Sequence, residues 1–554
     1  MKHRPPKSTQ PRSNSPPGAP AAIWKKLLLA ILIPLPLFGL AETALRLANF
    51  QYEARQKVLW TPTIAGYDGT FEYRLRTMLD PPGYVWRTEP DTAYTDADGF
   101  RLPALSKEKA VGKIRIAFLG GSTTQGQRHS YAERAIRILN AALDTDRFEA
   151  LNVGCSSYST HQSLLALNRW VFERDPDLVC VYHGWNDWIY AEDGYGDAEK
   201  NAFAGIAPSA GGWKQRLVRR LHFAQALARC IDALDFSWPR PRVSPDQFED
   251  NLRSMARLCA AHGKELVLFT RPPLAPESSP SLEGLARKHL ETYNASSDAD
   301  AQQSIHEDCV DIQRQIAQTE PNVRLLDASA MVANLLQRRE SGEFGPGAQI
   351  HQPDGLHLRP LGEQLFAEQI ALSIAPEHAE TIRRYLASSS YALDVARQML
   401  EELMPREAAY FIAKVLAQNP EHAEARALKN EASGQFEFAD LFWQGCWGGS
   451  DKVFESKMAK LKRCIEIRPN DFGVCMQVVF VCFEMGRPGE AADAIAGFRP
   501  VHPADHYRWA WYRFQSHLSA QRLPEAISAA RLCLQLDPSD ADSREFLRQA
   551  NALP

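Results

Sequence analysis

Four short stretches hold side chains that could together perform acyl chemistry, and each sits where an apolar run ends or a helix begins. Gly121-Ser122 follows Ile114–Leu119. Asn152-Val153-Gly154-Cys155-Ser156 and Gly184-Trp185-Asn186-Asp187 follow two further apolar runs. Asp354-Gly355-Leu356-His357 precedes a helical pattern. A serine hydroxyl is a poor nucleophile until a base takes its proton. His357 is the candidate base, and Asp354 would fix its tautomer and stabilise the imidazolium. Attack on an ester creates an oxyanion, which needs preorganised donors. The backbone N–H of Ser122, the backbone N–H of Gly154 and the side-chain amide of Asn186 can supply three.

Taken singly, each of these residues has an ordinary explanation. A serine after glycines is commonly a turn residue, Gly154 can end a strand, and Asn186-Asp187 can cap a helix. Their occurrence as a set favours catalysis over an inactive relic of the fold. His161, His183 and His351 lie near the same stretches and are read as bystanders. Arg271, after the fourth strand candidate, could meet an anionic substrate or simply cap its loop as a surface cation. No metal-ligand cluster or phosphate-binding loop is visible, so neither a metal nor a cofactor is expected.

The elements that must position these residues are legible as an alternation. Strand candidates are 114–119, 149–153, 178–182, 265–270 and 323–326, and helices are expected at 131–143, 161–174, 246–262, 303–318 and 361–374. Short apolar strands separated by helices imply a parallel sheet covered on both faces. In such sheets ligands bind at the carboxyl ends of the strands. Residues 195–245 and 272–300 interrupt the alternation as an insertion and a long loop.

Over residues ~95–375 the order Ser122, Gly154, Asn186 and Asp354-x-x-His357 resembles the SGNH/GDSL hydrolase superfamily. One departure is that the first block reads Gly-Gly-Ser instead of Gly-Asp-Ser; the serine, not its predecessor, is what the chemistry needs. The resemblance implies an α/β fold, a three-layer α/β/α flavodoxin-like parallel sheet. It implies Ser122, Asp354 and His357 as catalytic residues and Ser122, Gly154 and Asn186 as the oxyanion hole. It also implies an esterase removing O-acyl groups, acetyl above all, from a small-molecule or carbohydrate substrate. A polysaccharide O-acetyltransferase using the same residues is the enzymatic alternative. A non-catalytic glycan-binding assembly protein is the alternative from another class.

The rest of the 554-residue chain divides by composition. Residues 1–20 are rich in Pro, Ser and basic residues and cannot bury enough surface to fold. Residues 21–48 contain the uncharged run Leu27–Ala41, with six cations and no acid in residues 1–26. That pattern reads as a membrane-spanning signal anchor with a cytoplasmic N-terminus, against a cleaved signal peptide or a buried soluble helix. In a bacterial host the bulk would then lie outside the inner membrane. Residues 49–113 read as a lead-in packed on the hydrolase domain, with little chemistry of its own, and 114–375 as that domain. Residues 385–554 read as all helix, with prolines at 420, 469, 503 and 538. The spacing resembles tetratricopeptide repeats and implies a possible protein partner. The aromatic cluster Trp509, Trp511, Tyr512 and Phe514 is expected to be repeat core. The ten cysteines show no CxxC spacing and read mostly as small core side chains, with one or two disulfides left open. A net charge of −4 gives no reason to expect nucleic-acid binding.

Overall fold

The computed structural model describes residues 34–47, 75–78, 85–88, 96, 99–101, 105–126, 130–188, 196–198, 223, 226, 241–272, 299–345, 348, 350–351, 356–447, 454–501, 504–538 and 540–550. Two compact units are present. The smaller comprises residues 1–58 and 206–238, the larger 59–205 and 239–554. In the smaller unit, Pro34–Leu47 forms helix α1. Of the expected membrane segment 21–48, residues 21–33 and 48 lie outside the described residues. Among those described, no helix is long and apolar enough to cross a membrane.

In the larger unit a short antiparallel pair, β1 (Leu75–Met78) and β2 (Val85–Thr88), precedes the main sheet. That sheet has five parallel strands: β3 (Ile114–Gly120), β4 (Phe148–Asn152), β5 (Leu178–Tyr182), β6 (Glu265–Phe269) and β7 (Val323–Leu326), in the order β4-β3-β5-β6-β7. This is the flavodoxin-like order, in which the direction of winding reverses between β3 and β5 and opens a crevice at their carboxyl ends. The two-residue alternation of each strand sorts its side chains between two cores. Ile116, Phe118, Cys180, Tyr182, Val267 and Phe269 face one, while Ala117, Leu119, Val179, Val181, Leu266 and Leu268 face the other.

Helices α2 (Ser122–Gln125), α3 (Tyr131–Ala142), α4 (Thr160–Ala166), α5 (Pro245–Ala261), α6 (Ala299–Thr319), α7 (Ala328–Glu340) and α8 (Pro360–Ile374) alternate with the strands. Helix starts carry the expected chemistry. Ser130 with Glu133, Ser159 with Gln162, and Ser244 with Gln247 each form a capping box. Helix α7 fills an interval for which the sequence reading gave no helix. The expected helix 161–174 instead continues beyond Ala166 as a π turn and a 3-10 turn.

From 379 onward the described chain is helical: α9 (Ala379–Leu386), α10 (Ser389–Glu401), α11 (Pro405–Gln418), α12 (Ala423–Trp447), α13 (Phe454–Ile467), α14 (Phe472–Glu484), α15 (Pro488–Ala496), α16 (Ala504–Ser519), α17 (Leu523–Leu536) and α18 (Ala541–Gln549). The first of these helices do not form a separate module. Ile382, Tyr391, Phe411, Val415, Leu428 and Ala432 belong to the same apolar core as Phe118 and Tyr182. A buried ion pair, Arg134 Nη2 to Glu402 Oε1 at 2.6 Å, and a bond from Arg137 Nη1 to Gln398 Oε1 at 2.7 Å join the two regions. A third core begins at Phe438 and runs to Leu547. Trp509, Tyr512 and Phe514 are buried in it and Trp511 packs against it. Cys155, Cys180, Cys259, Cys309, Cys464, Cys475, Cys482 and Cys533 are buried.

Candidate active site

The nucleophile turn is built by close backbone contacts. Strand β3 ends at Gly120, and Ser122 opens α2, whose Gln125 N–H closes the turn on Gly121 O at 2.9 Å. As the first helical residue, Ser122 has an N–H that the helix cannot use. A side chain at 120 would collide with Thr124 Oγ1 and with Tyr182 O, 2.8 Å away, so the turn can tuck between strands only with glycine there.

His357 reaches this turn from the far end of the domain. Its loop is pinned at both ends, by the bridge between His351 and Leu358 and by Arg359 N–H donating to Ile350 O at 2.7 Å. Gly362 lets α8 press against that loop, since a Cβ there would lie 2.4 Å from Ile350 O. The outcome is His357 Nε2 at 2.8 Å from Ser122 Oγ, both half-buried. This is hydrogen-bond reach for a general base. Asp354 lies outside the described residues.

Asn186 lies on the opposite wall of the crevice, in the loop after β5. One of its Nδ2 protons donates to Tyr158 O at 2.9 Å, which fixes the amide plane and leaves the second proton directed elsewhere. A Cβ at position 121 would stand 2.5 Å from Asn186 Nδ2. The Gly-Gly-Ser departure therefore has a local reason: the amide occupies the space a side chain at 121 would need. The loop is anchored by the buried Asp187, which accepts from Thr160 N at 2.8 Å, Thr160 Oγ1 at 2.6 Å and Gly184 N at 3.2 Å. Burial pushes the Asp187 carboxyl up to about 6.

Gly154 follows β4, beside the nucleophile turn. Its N–H donates to Asn152 Oδ1 at 2.9 Å. Its lack of a side chain serves packing: a Cβ would lie 2.3 Å from Gln125 N and 2.6 Å from Thr124 C, inside the nucleophile turn. Asn152 Nδ2 in turn donates to Thr124 O at 2.9 Å, Ser130 Oγ at 3.1 Å and Glu133 Oε1 at 3.0 Å. One side chain thus ties strand β4, the turn and α3 together.

Two positioning residues were not singled out as such from sequence. Arg101 Nη1 donates to Gln125 O at 2.7 Å and Gly126 O at 3.3 Å, while its Nε pairs with Glu133 at 3.2 Å. It caps the carbonyl end of the nucleophile turn, so the lead-in segment, expected to contribute little chemistry, does reach the site. Gln125 Oε1 accepts from Ser156 N at 3.0 Å and Ser156 Oγ at 2.7 Å, holding the loop after β4. Neither contact leaves a local sequence signal. The three bystander histidines are buried. His183 Nε2 bonds Ser163 Oγ at 2.6 Å, and burial pushes its imidazole down to about 3. Arg271 is 2% exposed, a buried cation and not a surface cap. No cluster of ligating side chains suited to a metal occurs among the described residues.

Residues 118–365 match the family model of the GDSL-like Lipase/Acylhydrolase family. No curated protein sequence matches the chain. Similar solved structures include a lipase/acylhydrolase from Enterococcus faecalis, at 18% identity, covering 48% of this chain and 96% of that one with a TM-score of 0.30. Another is an acetyl xylan esterase, AlAXEase, at 15% identity, 47% and 100% coverage and a TM-score of 0.30. A catalytic mutant of an acetylxylan esterase from Geobacillus stearothermophilus stands at 17% identity, 48% and 94% coverage, and again 0.30. The match places a GDSL-like lipase/acylhydrolase domain at residues 118–365 and supports a serine hydrolase activity there.

Proposed function

We propose that the chain hydrolyses O-acyl esters, with acetyl as the preferred acyl group and a carbohydrate as the alcohol, using Ser122 as nucleophile and His357 as general base. The observation that carries this reading is His357 Nε2 at 2.8 Å from Ser122 Oγ, at the crevice where the winding of the sheet reverses. Ser122 Oγ attacks the ester carbonyl as His357 takes its proton; the imidazolium then protonates the departing alkoxide. Water, deprotonated by His357, releases the acid and restores Ser122. Asp354 is assigned to orient His357. The Ser122 N–H and the second Asn186 amide proton are the readiest oxyanion donors, and the Gly154 N–H would be shared with Asn152 Oδ1. The test is turnover of 4-nitrophenyl acetate and labelling by a fluorophosphonate. Ser122→Ala should abolish both, and full turnover by that variant would overturn the mechanism. Scoring O-acetylated xylan or pectin for released acetate tests the carbohydrate assignment.

Residues 21–48 are assigned as an anchor in a bacterial inner membrane, with the bulk of the chain extracytoplasmic. The uncharged run, the six preceding cations, and Leu40 and Leu47 at 68% and 85% exposure on α1 support this. A reporter active only after export, fused after residue 60, should be active. The helical region from 385, read as tetratricopeptide-like, is assigned to docking a protein partner.

A further inference from the structure

The loop after β5 and the end of β6 hold a group of buried donors that the ester chemistry does not use. Arg271 follows β6, which lies two strands from β3, roughly 10 Å along the sheet. Its guanidinium stacks 4.0 Å from the Trp185 ring centroid, and its stem packs against Gly184. Trp185 immediately precedes Asn186, so this contact adjoins the wall of the crevice. Arg271 Nε and Nη1, Trp185 Nε1 and His306 Nδ1 are buried without a hydrogen-bond partner, and the side chain that does bond the guanidinium is the Cys309 thiol, kept neutral by burial. A buried guanidinium without a counter-anion is costly. The carboxylate in its surroundings, Asp187, is already committed to Thr160 and Gly184. Gln313 fixes the position by accepting from Arg271 N at 3.0 Å and donating to Phe269 O at 2.8 Å.

We propose that Arg271 and Trp185 form a carboxylate-binding subsite beside the Ser122–His357 centre, so that the preferred ester bears a carboxylate elsewhere on the same molecule. This rests on the ester-hydrolase reading above. Stacking on the indole leaves the edge of the guanidinium for a carboxylate, with the indole N–H as an additional donor. One permanent cation suits a monoanion better than a phosphate dianion, and His306 adds no second charge, because burial, with Arg271 nearby, lowers its pKa. Two sources share this chemistry: a dicarboxylic acyl group such as succinyl, or a uronic-acid alcohol.

The test compares kcat/KM for two matched pairs. The first is 4-nitrophenyl hydrogen succinate against its methyl ester; the second is O-acetylated galacturonic acid against its methyl ester. The wild type should favour the free acid by roughly tenfold or more in at least one pair, mainly through KM, as expected for a charged hydrogen bond. The succinate pair locates the carboxylate on the acyl side, the uronate pair on the alcohol side. Arg271→Gln should bring that ratio close to one. Because a buried arginine variant can misfold, calorimetric binding of free succinate and galacturonate to the wild type is measured as well, and one of them should bind where its amide does not. Turnover of 4-nitrophenyl acetate with no preference in either pair and no acid binding would overturn the subsite. So would a preference that survives Arg271→Gln. Absence of any ester turnover would strike the hydrolase reading instead, and acid binding would still decide the subsite.

Discussion

Gly154→Ala is the sharpest test of how the nucleophile turn is held. The new Cβ would lie 2.3 Å from Gln125 N, whereas ordinary contact begins at 3.4 Å, so β4 and the turn must separate by about 1.1 Å. The atoms it meets are backbone, not the far end of a flexible side chain, and cannot rotate away. Overpacking of this kind costs about 1–3 kcal/mol of stability. A displacement of about 1 Å in a catalytic constellation can cost about 10²-fold in rate. The assay is kcat for 4-nitrophenyl acetate beside a thermal melt, with Gly434→Ala as the comparison. Gly434 is a helical position where a Cβ meets nothing within 4 Å, so that change should leave kcat alone and add about 0.5–1 kcal/mol of stability. A folded Gly154→Ala enzyme with wild-type kcat would refute the claim that this glycine sets the position of Ser122.

Asn186→Ala should lower kcat for 4-nitrophenyl acetate by about 10²–10³ if its free amide proton meets the oxyanion, and an unchanged kcat removes it from that role. Burial pushes the Glu363 carboxyl up from the usual carboxylate range to about 8. The folded state therefore holds this proton more tightly than the unfolded chain, and stability from this group falls as pH rises from about 4.5 to about 8. Glu363→Gln keeps an acceptor for Tyr131 N–H, bonded at 2.6 Å in the native protein. Its melting temperature should decline less over that range, and parallel declines would count against the assignment. A chain ending at residue 384 should be insoluble. It loses the apolar core shared through Ala432 and strands Arg134 without Glu402, and breaking a buried pair costs about 3–5 kcal/mol. A chain ending near residue 450 keeps those contacts and should retain ester turnover; equal solubility of the two would show that the shared core is dispensable.

Much of the α/β domain was readable because its signals are local. Five apolar runs became the five strands within a residue or so, and the helices expected at 131–143 and 246–262 start at Tyr131 and Pro245. The Ser122–His357 approach was readable because both residues stand at element boundaries. What was not readable depends on partners distant in sequence. Arg101 caps a turn 24 residues later, and Asn152 reaches back to Glu133 of α3. Arg271 looked like an ordinary loop cation until β6 and α6 enclosed it. The boundary near 385 followed a change in composition, but the apolar faces of α9 to α12 complete the core of the preceding domain. No local pattern states which surface an amphipathic helix will cover.

Helix α12 has a mechanical consequence. Its first half, through Ala432, belongs to the core of the α/β domain, and its second half, from Phe438, belongs to the separate core that follows. One continuous 25-residue rod therefore joins the two bodies. Gly434 falls in the interval between them, where no neighbouring atom would touch a Cβ. Glycine is the least constrained residue a helix can contain, so bending compliance concentrates at this point. Arg406 of α11 reaches past this point to pair with Asp440 at 2.6 Å, so a load on the distal helices is shared between the α12 rod and this ion pair before it strains the sheet that carries Ser122.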